Sequence, residues 1–156
     1  MRKNALLLTL AVAALVFVGT VGVDAAAQDT NPRFGVWKMK SDAPPPRSNI
    51  MTYEPWGDGG MKITVGNPTR PERDWFYVTM FDGVFRAVEG QEGSETAVEI
   101  IDERSTRIIN KRNGRVTQVI INTLSEDGNT ISNEYVRMDA DGKIRGVGHA
   151  VYVRSQ

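Results

Sequence analysis

Thr106-Arg107-Ile108-Ile109-Asn110-Lys111-Arg112-Asn113-Gly114-Arg115-Val116-Thr117-Gln118-Val119-Ile120-Ile121-Asn122-Thr123-Leu124 sets two runs rich in β-branched residues on either side of an Asn-Gly pair. Asn-Gly supplies the two positive φ angles of a tight two-residue reversal, so the stretch predicts a β-hairpin with strands over Thr106–Arg112 and Arg115–Leu124. The same rhythm extends outward in both directions. Strands are predicted at Phe34–Lys40, Asn49–Glu54, Met61–Val65, Arg73–Phe81, Val84–Val88, Glu95–Ile101, Thr130–Met138 and Ile144–Arg154, with no amphipathic helical stretch between them. Asp82-Gly83 reads as a second two-residue hairpin turn, while Gly57-Asp58-Gly59-Gly60, Asp127-Gly128-Asn129 and Asp141-Gly142 suit longer reversals. Pro44-Pro45-Pro46 makes a stiff connector, and Asn67-Pro68-Thr69-Arg70-Pro71 an irregular link.

Ahead of the first strand, Arg2 and Lys3 precede an uncharged run from Ala5 to Val23 and a small-residue stretch Asp24-Ala25-Ala26-Ala27. This predicts a signal peptide over residues 1–27, cleaved near Ala27, and a secreted or periplasmic protein with no stable membrane insertion once the leader is gone. Residues 28–156 form one domain of a size that buries a core without staples. The chain has no cysteine, which excludes disulfides, thiolate nucleophiles and Cys-based metal sites. Nineteen basic residues balance nineteen acidic ones, so no bulk charge draws the protein to nucleic acid.

A meander of about eight to ten antiparallel strands must close into a barrel or fold over as a sandwich, because an open sheet would leave edges and a bare apolar face. Two strands are apolar on both sides. Trp75, Tyr77 and Phe81 alternate with Phe76, Val78 and Met80, and Val116, Ile120 and Leu124 alternate with Val119 and Ile121; this favours the sandwich alternative.

Gly35-Val36-Trp37-Lys38-Met39 resembles the opening strand of the lipocalin and fatty-acid-binding-protein families, in which Gly-x-Trp begins an antiparallel barrel. Those families lay a basic side chain from the last strand across the tryptophan, and Tyr152-Val153-Arg154 offers Arg154 for that role. The resemblance implies an all-β, up-and-down lipocalin-like barrel with Gly35, Trp37 and Arg154 at its closed end. The chain also resembles small exported bacterial proteins with a Gly-x-Trp-Lys opening. It departs from the fatty-acid-binding pattern where function is concerned. The Arg-x-Tyr carboxylate clamp keeps its tyrosine, Tyr152, but has Ala150 in place of the arginine, and Ser41–Ser48 is too short and proline-rich for a helical lid.

The remaining candidates carry little catalytic chemistry. His149 is the single histidine and lacks the partners for a metal site or a relay, so it reads as structural. Asp139-Ala140-Asp141-Gly142 begins like a calcium loop but reaches Ala150 where the last ligand belongs, so it reads as a turn. Glu99, Asp102 and Glu103 read as strand and turn caps. Arg104, Arg107, Lys111, Arg112 and Arg115 cluster around the Asn113-Gly114 turn and read as solubilising charge. No metal or cofactor is expected. Seven of the twelve aromatic residues fall between Tyr53 and Phe85, which makes Trp75, Phe76, Tyr77 and, from the closing strand, Tyr152 the candidate contacts for a small apolar ligand, with Thr79 and Asn122 as orienting polar groups. The other reading is a structural or protein-interaction module of the envelope that uses an outer sheet face.

Overall fold

The computed structural model describes residues 31–41, 50–67 and 69–155. The predicted leader, the triproline connector and Pro68 lie outside the described residues. Ten strands follow in chain order: β1 (Gly35–Lys40), β2 (Ile50–Trp56), β3 (Gly60–Gly66), β4 (Trp75–Thr79), β5 (Arg86–Ala87), β6 (Ser94–Ile100), β7 (Ser105–Arg112), β8 (Arg115–Leu124), β9 (Thr130–Met138) and β10 (Ile144–Arg154). They form one antiparallel sheet in the order β4-β3-β2-β1-β10-β9-β8-β7-β6-β5. First and last strands pair, with Trp37 opposite Arg154 and Met39 opposite Tyr152. The two ends of the sheet meet where the Phe76 N–H donates to the Glu89 carbonyl at 3.1 Å and the Glu89 N–H to the Phe76 carbonyl at 2.8 Å. A single sheet curled until its edges touch is a nearly closed barrel, and the sandwich alternative is excluded.

The β7–β8 turn has φ of 50° at Asn113 and 76° at Gly114, the geometry that matches hairpin twist. Beyond it the register slips. Lys111 stands opposite Val116 and Asn110 opposite Gln118, leaving Thr117 as a bulge that moves Val116 off the face carrying Ile120 and Leu124. Asp82-Gly83, in contrast, does not join two laddered strands as a hairpin. Positive φ falls at Phe81 (58°) and Gly83 (72°), the Asp82 carboxylate caps the Val84 N–H and grips Arg86, and the Gly83 N–H donates to Val98 of β6. The local polar bonds fold this segment onto β6 before β5 begins. β4 is also shorter than Arg73–Phe81, because Pro71–Arg73 forms a 3-10 turn.

One parity runs through the whole sheet. Trp37, Met51, Tyr53, Ile63, Tyr77, Val98, Ile108, Ile120, Leu124, Ile131 and Tyr152 are buried, and the registers set them side by side across neighbouring strands. The apolar residues of opposite parity lie outside. Val78 stands opposite Lys62, while Ile109, Val119, Val136 and Val147 make a cross-strand row on the outer face. The doubly apolar strands therefore reflect an outer β-branched ladder rather than a second sheet.

Candidate functional site

The closed end of the barrel is built from the opening tripeptide. Trp37 is fully buried, and its indole N–H donates to the Arg33 carbonyl at 2.8 Å. The Arg154 guanidinium lies 4.2 Å from the Trp37 ring centre and donates to the carbonyls of Phe34 (2.8 Å), Pro32 and Gly128 (2.9 Å). Gly35 is glycine for two reasons: its φ is 129°, and a Cβ there would stand 3.0 Å from Arg154 Nη1. Arg33, just ahead of β1, turns inward and is 6% exposed. Its Nε donates to Asn122 Oδ1 at 3.3 Å and its Nη2 to the Arg104 carbonyl. Among the described residues no carboxylate forms an ion pair with it, and burial holds the guanidinium below its usual value.

From Asn122 a chain of polar groups climbs the inner wall. Its amide donates to Asn133 Oδ1 at 2.8 Å and to the Tyr53 hydroxyl at 3.4 Å, and the Asn133 amide donates to the Tyr135 hydroxyl at 3.1 Å. Burial pushes the hydroxyls of Tyr53, Tyr77 and Tyr152 well above the ordinary phenol value, with the Tyr135 hydroxyl adding to the effect at Tyr152. All three stay neutral donors or acceptors at any physiological pH.

Above this chain the barrel is hollow. A cavity of about 410 Å³ is lined by Met51, Ile63 and Val65, by Ile108 and Ile120, and by Tyr135, Tyr152 and the adjoining Met39. Trp75 and Tyr77 stack with ring centres 6.3 Å apart on its flank. Ala150 and Gly148 leave room on β10. The neck carries Asn110, Gln118 and Arg137, and these three with Trp75 also line a wider recess of about 570 Å³ at the mouth. The two spaces therefore share a boundary. Around the mouth recess stand Lys111, Arg112, Arg137 and Arg145 against one carboxylate, Glu95.

Of the residues singled out in the sequence, Trp75, Tyr77 and Tyr152 meet around this cavity. Phe76 does not: it lies on the outer face with the Lys62 ammonium 4.7 Å from its ring centre, because it alternates with the inward Trp75 and Tyr77. Asn122 is not part of the cavity lining and reaches it only through its bonds to Tyr53 and Asn133, while Thr79 is buried outside the lining with its hydroxyl accepting from the Phe81 N–H at 2.8 Å. His149 is on the outer face, where Nδ1 lies 2.5 Å from the Glu134 carboxylate. Asp139 accepts N–H bonds from Asp141 and Lys143 inside its own turn. Glu99 grips Arg107 across strands, and Asp102 caps the Arg104 N–H. Lys111 lies over Phe85, 3.4 Å from its ring centre. Arg33, Asn133, Tyr135 and Arg137 were not legible as site residues. The signal that finds the last three is register: they continue the parity of Ile131 along β9 and face Ala150, Gly148 and Gly146 of β10.

No protein-family model matches the chain, and no curated protein matches it in sequence. Solved structures similar in fold include two of the fluorescent protein UnaG. A variant of the fluorescent protein UnaG superposes with a TM-score of 0.56 at 13% identity, covering 80% of this chain and 97% of that one. Wild-type UnaG superposes with a TM-score of 0.52 at 13% identity, covering 79% and 97%. At this identity the likeness is one of architecture: the chain has the ten-stranded, nearly closed antiparallel barrel of the fatty-acid-binding-protein-like fold.

Proposed function

We propose that this protein is exported and holds a small, mostly apolar ligand inside its barrel without chemically altering it. One observation carries the reading. The interior leaves a space of about 410 Å³ that opens toward the mouth recess, within the range of small-molecule sites, and its wall combines aliphatic and aromatic surface with a few converging polar groups. A barrel of this size is able to fill its centre with side chains; here the small Ala150 and Gly148 on β10 line the space that is left open. Export rests on the reading of residues 1–27 as a signal peptide, from Arg2 and Lys3, the uncharged run and the small residues before Gln28.

Two measurements test the reading. Native mass spectrometry of protein purified without detergent, followed by organic extraction, should find a co-purifying apolar molecule, and the intact mass from the native host should correspond to a chain starting near Gln28. Ala150→Phe, which places a ring in the cavity, should abolish uptake of the neutral probe N-phenylnaphthylamine while the far-ultraviolet dichroism stays that of a β protein. A wild-type protein that takes up no apolar probe would overturn the reading. The alternative, an interaction module, is favoured by the outer row Ile109-Val119-Val136-Val147, of which Val147 is 74% exposed. It predicts that Val147→Asp, not Ala150→Phe, abolishes function.

A further inference from the structure

Among the described residues Arg137 is the one charged side chain directed into the cavity between floor and mouth, and no anion among them pairs with it. It extends from β9 opposite Gly146 and lines both the cavity and the mouth recess. Its contact with a neighbour is to the Tyr135 ring, whose centre is 5.9 Å from the guanidinium carbon. It takes part in no ion pair among the described residues. The neighbouring strand is cut away to receive it: a Cβ on Gly148 would stand 3.2 Å from Arg137 Nη1 and 3.3 Å from Nη2. Among the described residues no carboxylate lines the cavity, and Glu95 is the sole one beside four cations around the recess. Arg33, at the other end, is not equivalent. Its guanidinium is committed to Asn122 and the Arg104 carbonyl and lies below the cavity floor.

Building on the binding reading above, we propose that the ligand is an amphiphile with one anionic end, and that Arg137 receives that end at the neck while the apolar body points inward. A guanidinium with free N–H groups at the edge of a low-dielectric cavity is a strong, directional receptor for a carboxylate, sulfonate or phosphate oxygen pair. The same site gives a purely apolar body nothing in return. The polarity follows from where the charge sits. Arg137 lines both the cavity and the mouth recess, while the inner wall beyond it is formed by Ala150, Ile63, Ile120 and Tyr77, so the anion stays near water and the tail is buried against these.

The test uses two dyes on the intact domain, anilinonaphthalene sulfonate and its neutral relative N-phenylnaphthylamine. Wild type should bind the sulfonate roughly tenfold more tightly. Arg137→Gln should weaken the sulfonate by about tenfold and change the neutral dye less than twofold; Arg115→Gln, which removes a charge outside the cavity lining, should change neither. Gly148→Val should reproduce the selectivity loss by crowding the guanidinium while leaving total charge intact, and Arg137→Lys should restore it only in part. If wild type binds both dyes equally, or Arg137→Gln weakens both alike, the anion receptor is refuted and the cavity reading survives. If wild type binds neither dye, both fall.

Discussion

The Arg154 guanidinium rests 4.2 Å from the centre of the Trp37 ring while its N–H groups reach carbonyls of three separate segments, at Pro32, Phe34 and Gly128. One side chain thus ties the approach to β1, the β8–β9 turn and the end of β10 to a buried indole. Arg154→Ala should cost about 2 kcal/mol in urea unfolding and shift tryptophan emission, because it removes a desolvated cation–π contact together with charge-assisted bonds. Arg154→Lys should fall between, lacking the planar fork. Gly35→Ala should destabilise comparably, since it forces a side chain into positive φ and against the guanidinium.

Asn122 is the junction of the interior polar chain, with partners at Arg33, Tyr53 and Asn133. Asn122→Ala strands all three in a buried site and should cost about 2–3 kcal/mol, whereas Thr123→Ala, with a side chain of outer parity, should cost less than about 0.5 kcal/mol. Equilibrium denaturation of the two variants, one residue apart, measures the contrast.

Alkali should unfold this protein through its tyrosines. Burial raises the hydroxyl pKa of Tyr53, Tyr77 and Tyr152 above the ordinary phenol value of about 10, so the folded state retains protons that the unfolded state releases. Their stabilisation is complete below pH 10 and is lost as pH rises toward the folded values. Tyrosinate absorbance should therefore appear for these three only together with loss of tryptophan ellipticity. Stepwise titration of all of them in a protein that remains folded would contradict the burial described.

Acid acts at the segment that links β4 to β5. Hydrogen bonds from the Arg86 guanidinium and the Val84 N–H hold the Asp82 carboxyl well below its usual range. A depressed folded value means stabilisation that is present above the unfolded carboxylate pKa and is lost as pH falls toward the folded one. Asp82→Asn should lower stability at neutral pH and flatten its dependence below about pH 4. Urea midpoints measured at neutral and acidic pH for both proteins give the slope directly.

Strand positions were legible because β-branched runs and Gly-centred turns are local. Asn113-Gly114 and Gly128 carry the positive φ that their turns require, and the Trp37–Arg154 pairing was accessible through the two ends of the chain. The polar interior was not legible, for a physical reason. Along β9 the inward positions are Ile131, Asn133, Tyr135 and Arg137, while the outward ones include Val136, so hydropathy alternation points the wrong way for half the strand. Arg33 precedes the first strand and has no periodicity at all. Phe76 was grouped with its neighbours because three consecutive aromatics give no parity until the register to Thr64 is known. The Asp82-Gly83 turn misled for the opposite reason: the dipeptide is right for a hairpin, but the Asp82 side chain spends its acceptors on Val84 and Arg86.

A ring of ten strands joined by nine ladders has one seam that is almost unstitched. Between β4 and the residues after β5, two reciprocal hydrogen bonds at Phe76 and Glu89 complete the circle, whereas the β9–β10 ladder runs through nine residue pairs. Breathing of the wall will concentrate where the fewest bonds must open, so amide exchange should be fastest at Phe76 and Glu89 and slowest along β8 to β10. A guest larger than the resting volume should then be admitted like a coin past a spring clip, by parting the wall at this seam and the two-pair β5–β6 ladder next to it, while the closed end and the strands that carry Arg137 and Tyr152 keep their shape.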